Sequence, residues 1–212
     1  MTHNIYYKAE LIATPEIISY LVKKDSIFST FVEKYGIVKY EKNNNIYESI
    51  VSNIIGQQLS NKVKQIIYER FLHLVGDVIP ENIVSSKDED IRDCGISYSK
   101  IKYIKELSLN LLNENLNLSN LDLLSDEELI KFFQGIKGIG RWTAEMLALF
   151  TLGRQNIISY DDVAIRNGIM KAKQYKTLSI KRFEGLRKKY SPYCSYASLY
   201  FYANNDEQLR WK

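Results

Sequence analysis

Cysteine and histidine are nearly missing from this sequence. Two cysteines, Cys94 and Cys194, and two histidines, His3 and His73, are the whole thiol and imidazole inventory of its 212 residues. No spacing among them suits zinc, and the four thiolates of an iron–sulfur cluster do not exist. A Cys–His or Ser–His nucleophilic site finds little material here, and His73, inside an apolar helical run, reads as structural. Long apolar runs are missing as well. The longest, Met146–Leu152, is too short to span a bilayer, and no signal-peptide pattern opens the chain. The expectation is a soluble intracellular protein, cytoplasmic or nuclear, with no cofactor and no required metal.

What is present is ordinary globular composition, 45% hydrophobic and 25% charged, enough for one large or two small domains. Net charge is +4, which permits an anionic partner without demanding one. Eight basic residues gather between Lys171 and Lys189 (Lys171, Lys173, Lys176, Lys181, Arg182, Arg187, Lys188, Lys189) against one acid, Glu184. Lys100, Lys102 and Lys105 form a second group. Each could neutralise phosphates, or equally be a solvated helix face.

The pattern is helical almost throughout. Thr14-Pro15 reads as an N-cap with proline at the first helical position, opening a helix over Ile17–Lys23. Asp25 can cap another that Gly36 ends, and Ile46 to Gln58 follows. Ser60 begins the next, with Val63, Ile66, Ile67, Phe71, Leu74 and Val75 on one face and Gly76 as its stop. Ser99 to Leu112 repeats the pattern, Asn110–Asn120 reads as a loop or helix end, and Ser125-Asp-Glu-Glu128 is a capping box. Further helices are expected over Trp142–Leu152, Asp162–Lys171, Ser179–Lys189 and Pro192–Ala203. Asn4–Tyr7 and Gly36–Tyr40 could be short extended pieces, but no alternation is long enough for a sheet. The fold class is all-α.

One segment carries chemistry: Phe132-Phe-Gln-Gly-Ile-Lys-Gly-Ile-Gly-Arg-Trp-Thr-Ala144. A helix ending near Gln134 meets a glycine-dense turn (Gly135, Gly138, Gly140), and a second helix starts near Arg141. Gly138-Ile-Gly140 exposes backbone N–H groups at a helix N-terminus with no Cβ in the way, which suits a phosphate. Ile136 and Ile139 can pin the turn to the core. By themselves, these glycines could equally serve an ordinary helical corner.

The longer string resembles the helix-hairpin-helix motif of the helix-hairpin-helix/Gly-Pro-Asp (HhH-GPD) superfamily of DNA repair glycosylases. Its nearest branch is that of the alkylation-repair 3-methyladenine DNA glycosylases. Three other stretches match in order and distance. Ile54-Ile-Gly-Gln-Gln-Leu-Ser60 is similar to the helix end that fills the gap left by a flipped base. Tyr160-Asp-Asp-Val-Ala-Ile-Arg166 is similar to the segment with the catalytic aspartate, and Tyr190-Ser-Pro-Tyr-Cys-Ser-Tyr-Ala197 to a late Trp-x-Pro-x-Arg-Ser-x-Ala motif. The match covers roughly residues 45 to 203.

The resemblance implies two helical lobes with a cleft between them. One is continuous, 47–153, with the hairpin at about 126–152; the other joins 1–46 to 154–212 and carries the aspartate. It implies a monomer acting on double-stranded DNA that contains damaged bases. Asp162 becomes the carboxylate that stabilises the oxocarbenium-like sugar as the base departs. Asp161 is the competing choice, and either residue can be read as a plain helix cap, a role compatible with catalysis. Gln58 matches the wedge, with Gln57 beside it left open. Lys137, Gly138, Gly140, Arg141 and Thr143 become phosphate contacts. The main-chain carbonyls of Gln134, Ile136 and Ile139 could hold a monovalent ion. Trp142, Met146 and Tyr202 match base-pocket positions, where electron-rich rings favour cationic alkylated purines. Trp142 also occupies the place of the Schiff-base lysine of bifunctional relatives, so strand cleavage is not expected. Met146 and Tyr202 replace aromatic residues common in relatives, and Cys194 stands where arginine is usual. These departures bear on base preference more than on the reaction.

Overall fold

The computed structural model describes residues 5–206; His3 and Asn4, which enter the readings above, lie outside them. Side-chain caps set half of the helix starts. Thr14 accepts the Ile17 N–H ahead of α1 (Pro15–Lys24), and α2 (Ile27–Tyr35) follows, closed by Gly36 in a left-handed conformation. Asn45 caps α3 (Ile46–Gly56) and Ser60 caps α4 (Asn61–Val75). Two short helices, α5 (Pro80–Ser85) and α6 (Asp88–Asp93), precede α7 (Tyr98–Leu112). Ser125 and Glu128 form the expected capping box of α8 (Asp126–Gln134), which leads to α9 (Arg141–Phe150). Asp162 caps α10 (Val163–Lys173), Ser179 caps α11 (Ile180–Tyr190), and α12 is Cys194–Asn205.

The helices leave room for one feature that was not expected: a two-stranded sheet of β1 (Tyr6–Ile12) and β2 (Lys39–Asn45). Ile46 N–H donates to Ile5 O at one end and Ala13 N–H to Val38 O at the other, so the strands run in opposite directions. β2, with sequence KYEKNNN, has almost no strand propensity of its own; its partner supplies the hydrogen bonds. β1 turns Ala9 and Leu11 inward.

Two compact units emerge. The first holds the described residues of Met1–Tyr7 with Asn43–Leu147, the second Lys8–Lys42 with the described residues of Ala148–Lys212. In the first, Ile50, Ile54, Phe71, Ile104, Phe133 and Leu147 are fully buried. The face expected for α4 is only partly covered. Phe71 and Val75, spaced i and i+4, are buried, whereas Val63, Ile66 and Leu74 are exposed. Those six apolar residues span a wider arc than the neighbouring helices cover.

The second unit is cored by rings. Phe28 meets Tyr190 edge-on at 5.1 Å, and Phe31 stacks on Tyr200 at 6.0 Å. Beside them Asp25, expected as a cap, holds more than the Ile27 N–H: its Oδ2 takes hydrogen bonds from Lys173, Lys189 (3.1 Å) and Tyr190 (2.7 Å). Burial, the largest single influence, raises the Asp25 pKa. The bonds from Lys173, Tyr190 and Lys189 together outweigh it and bring the carboxyl from 3.8 to about 2. A depressed folded-state pKa contributes stability above the unfolded value that is lost as pH falls through the folded one. Unfolding free energy of the wild type should therefore drop by about 2 kcal/mol between pH of about 4 and 2, and Asp25→Asn should remove that part of the dependence. Denaturant melts at stepped pH measure it; identical slopes in both proteins would refute the role.

Candidate active site and nucleic-acid interface

Asp162 is placed by its own helix. Its Oδ1 accepts the Ile165 N–H at 2.9 Å and its carbonyl accepts the Arg166 N–H at 3.0 Å, which starts α10. Ile157, Ile158 and Ser159 lead into it from the core. Asp162 is only 6% exposed, while Asp161 next to it faces solvent. The two candidate aspartates are thus physically distinct, and only Asp162 sits in a defined frame. Tyr202, one turn from the end of α12, donates its hydroxyl to Oδ2 of Asp162 at 2.7 Å. Burial first, then the charge and hydrogen bond of Asp162, push the phenol pKa far up, so it remains a donor. Its ring lies 5.9 Å from that of Phe150 at 49°. No sequence spacing announces this contact, which joins residues 40 apart.

The hairpin belongs to the first unit. Leu129, Ile130 and Phe133 turn α8 inward, and Ile136 and Ile139 are buried as anchors of the turn. Ile139 N–H donates to Ile136 O at 3.0 Å, closing it. Gly138 is obligatory on two counts: its φ is +86°, and a Cβ there would lie 2.5 Å from the Tyr103 ring. At Gly140 a Cβ would meet nothing within 4 Å, so the approach to the start of α9 is open. Positive potential from the first turn of α9 is available there.

The other expected phosphate contacts divide. Arg141 is exposed at the mouth of α9, braced by Glu145 at 2.9 Å. Lys137 is exposed but ion-paired with Glu106 at 2.8 Å. Thr143 is 4% exposed, so its side chain faces the core and only its backbone belongs to the helix mouth. The basic groups divide in the same way. Lys100 donates to Ile55 O and Gln57 O, each at 2.8 Å, and Lys105 pairs with Asp88. Lys173 and Lys189 serve Asp25, and Arg187 pairs with Glu184 at 2.7 Å. Lys102, Lys176, Lys181, Arg182 and Lys188 remain at the surface. Among the described residues no group of three or more acidic, His or Cys side chains could hold a metal ion.

Gln57 and Gln58 separate clearly. Gln57 ends α3, and its Nε2 donates to Gly138 O at 2.7 Å, tying this segment to the hairpin. Gln58 follows in a left-handed conformation, φ +59°, with its side chain exposed. A non-glycine residue held there is unusual, and Lys100 and Gln57 are the groups that hold it. On α9, Trp142 is 40% exposed and Met146, one turn on, is buried. Cys194 is buried, and its Sγ donates to Arg187 O at 3.2 Å. The structure thus brings Asp162 together with Tyr202 in one unit, and Gln57, Gln58, Lys100 and the hairpin together in the other.

Known proteins share this fold. The crystal structure of a DNA-3-methyladenine glycosidase from Bacillus halodurans superposes with TM-score 0.81 at 31% identity, covering 96% of this chain and 94% of that one. A Schizosaccharomyces pombe 3-methyladenine DNA glycosylase, solved with abasic DNA, gives 0.76 at 28% identity, over 89% of this chain and 95% of that one. In sequence, DNA-3-methyladenine glycosylase 1 of Schizosaccharomyces pombe is 36% identical over 126 residues, 58% of this chain and 55% of that protein. A Bacillus subtilis relative is 31% identical over 191 residues, 84% of this chain, of which the chain spans 65%. Residues 51–192, from the middle of α3 to just before α12 and so including Gln57, Gln58, the hairpin and Asp162, match the family model of HhH-GPD superfamily base excision DNA repair proteins, and the chain belongs to that superfamily.

Proposed function

We propose that this protein is a monofunctional DNA glycosylase that hydrolyses the N-glycosidic bond of alkylated purines in double-stranded DNA, of the 3-methyladenine type, and leaves an abasic site. The observation that carries the reading is Asp162, a carboxylate almost fully buried, fixed by the first turn of α10, at the position the superfamily uses for catalysis. The Bacillus halodurans and Schizosaccharomyces pombe relatives at 31% and 36% identity carry names of 3-methyladenine enzymes.

The steps follow from the residues. The open mouth of α9 at Gly140 and Arg141 receives a backbone phosphate. The target base leaves the stack, at a cost of a few kcal/mol, and Gln58 enters the gap. Its left-handed backbone projects the amide outward from a turn that Gln57 and Lys100 keep rigid. Trp142 offers an exposed indole face to an electron-poor base. Asp162 then faces the sugar. As the base leaves, positive charge grows on the ring, and the fixed carboxylate stabilises it and orients water to the anomeric carbon. No lysine stands at the position of Trp142 to form a Schiff base, so the strand stays whole. The protein works as a monomer inside the cell, where its DNA is.

Incubation with methylated duplex DNA tests this. Free methylated base should appear together with alkali-labile sites, and borohydride should trap no protein–DNA adduct. Absence of base release, or a trapped adduct, would overturn the reading.

A further inference from the structure

We infer that Tyr202 is a positioning residue for the reaction proposed above: its hydroxyl fixes the second oxygen of the Asp162 carboxylate, so that the plane of the group is set before substrate arrives. The inference rests on that proposed function and adds to it a residue whose expected part was to stack on the base.

A carboxylate held by one oxygen can still turn about its Cβ–Cγ bond. Asp162 Oδ1 is held by the Ile165 N–H, and Oδ2 by the Tyr202 hydroxyl, at 2.9 and 2.7 Å. Two bonds from different elements define a plane where one does not. Fixing the plane matters because electrostatic stabilisation of a developing cation needs the charge in place at the moment it develops.

Tyr202 can hold a plane because it is itself held. Gly168 of α10 lets α12 approach so closely that a Cβ would fall 2.0 Å from Phe201 O. Asn204 donates to Gly168 O at 2.9 Å and accepts from the Tyr35 hydroxyl at 3.0 Å. The residues on both sides of Tyr202 are thus locked to the helix that Asp162 starts. The phenol, kept protonated by burial and by the neighbouring charge, donates throughout the working pH range.

Two substitutions separate the hydroxyl from the ring. Tyr202→Phe keeps the ring and loses the donor; Tyr202→Leu loses both. Single-turnover release of base from methylated duplex should fall about tenfold to a hundredfold in Tyr202→Phe, the loss expected for one charge-assisted hydrogen bond. Tyr202→Leu should be at least as slow. The Kd for duplex with an abasic site should stay within about twofold of wild type in Tyr202→Phe, and its thermal unfolding should remain a single transition at nearly the same temperature. A wild-type rate in Tyr202→Phe beside a slow Tyr202→Leu would overturn the inference and return Tyr202 to a stacking role. Parallel loss of rate, DNA affinity and Tm in Tyr202→Phe would also overturn it, as the mark of a folding defect. In both cases the proposed glycosylase function stands; absence of base release by the wild type would remove both.

Discussion

Asp162→Asn should cut base release on the order of a thousandfold while the protein stays folded and still binds abasic DNA. The substitution suits the geometry. Asparagine caps helices about as well as aspartate, so Oδ1 can keep the Ile165 N–H and α10 still starts at Val163. The amide that replaces Oδ2 meets a hydroxyl able to accept as well as donate, so Tyr202 need not move. What disappears is the negative charge, and with it, on the proposed mechanism, the interaction that strengthens as the oxocarbenium character grows. Electrostatic groups of this kind contribute roughly a hundredfold to a thousandfold in rate, more where water is excluded. Asp161→Asn is the internal control. Its side chain is solvent-exposed, and its excision rate should stay within about twofold of wild type, since a screened surface charge contributes little. Single-turnover rates on methylated duplex, with circular dichroism for folding, decide the matter. Activity in Asp162→Asn with inactivity in Asp161→Asn would shift the role one residue upstream. Activity in both would mean that neither carboxylate is needed for excision and would remove the proposed mechanism.

Helix starts were legible in the sequence because capping is a local code. Thr14, Ser60, Ser125 with Glu128, Asp162 and Ser179 each signal a helix within four residues, and each caps one. The hairpin was legible for the same reason, its glycines and isoleucines being neighbours in the chain. Contacts between distant segments were not. β2 becomes a strand through its pairing with β1; only its first two residues, Lys39 and Tyr40, fall in the extended piece expected at Gly36–Tyr40. Lysines counted as candidates for phosphate prove to be engaged: Lys100 on the end of α3, Lys105 on Asp88, Lys173 and Lys189 on Asp25. Charge counts along a sequence cannot separate such internal partners from surface charge. Around Asp162, the cap of α10 was legible in the sequence, but the bond from Tyr202 depends on how α12 lies against α10. That packing turns on a glycine no motif had marked.

Two glycine-to-alanine substitutions, at Gly168 and Gly185, should move stability in opposite directions although both sit inside helices. On propensity alone each should help, by up to about 1 kcal/mol, because alanine loses less backbone entropy on folding. At Gly185 in α11 an added Cβ meets nothing within 4 Å, so propensity decides and Tm should rise by a few degrees. At Gly168 the same methyl would fall 2.0 Å from Phe201 O and 2.7 Å from its carbonyl carbon. These are backbone atoms, so no side chain can swing aside; α12 must move away from α10 by an ångström or more. That shift stretches the Asn204 bond to Gly168 O and unseats Phe201 from its ring contacts with Phe28 and Phe31. Overpacking against backbone should cost about 3 kcal/mol or more, which for a chain of this size lowers Tm by roughly 10 °C. Because Tyr202 follows Phe201 on α12, its hydroxyl is drawn from Asp162 in the same movement, and base release should fall together with stability. Calorimetry and single-turnover rates on the two variants test the account. A Gly168→Ala protein as stable and as fast as Gly185→Ala would mean that the close approach of α10 and α12 does not set the position of the carboxylate.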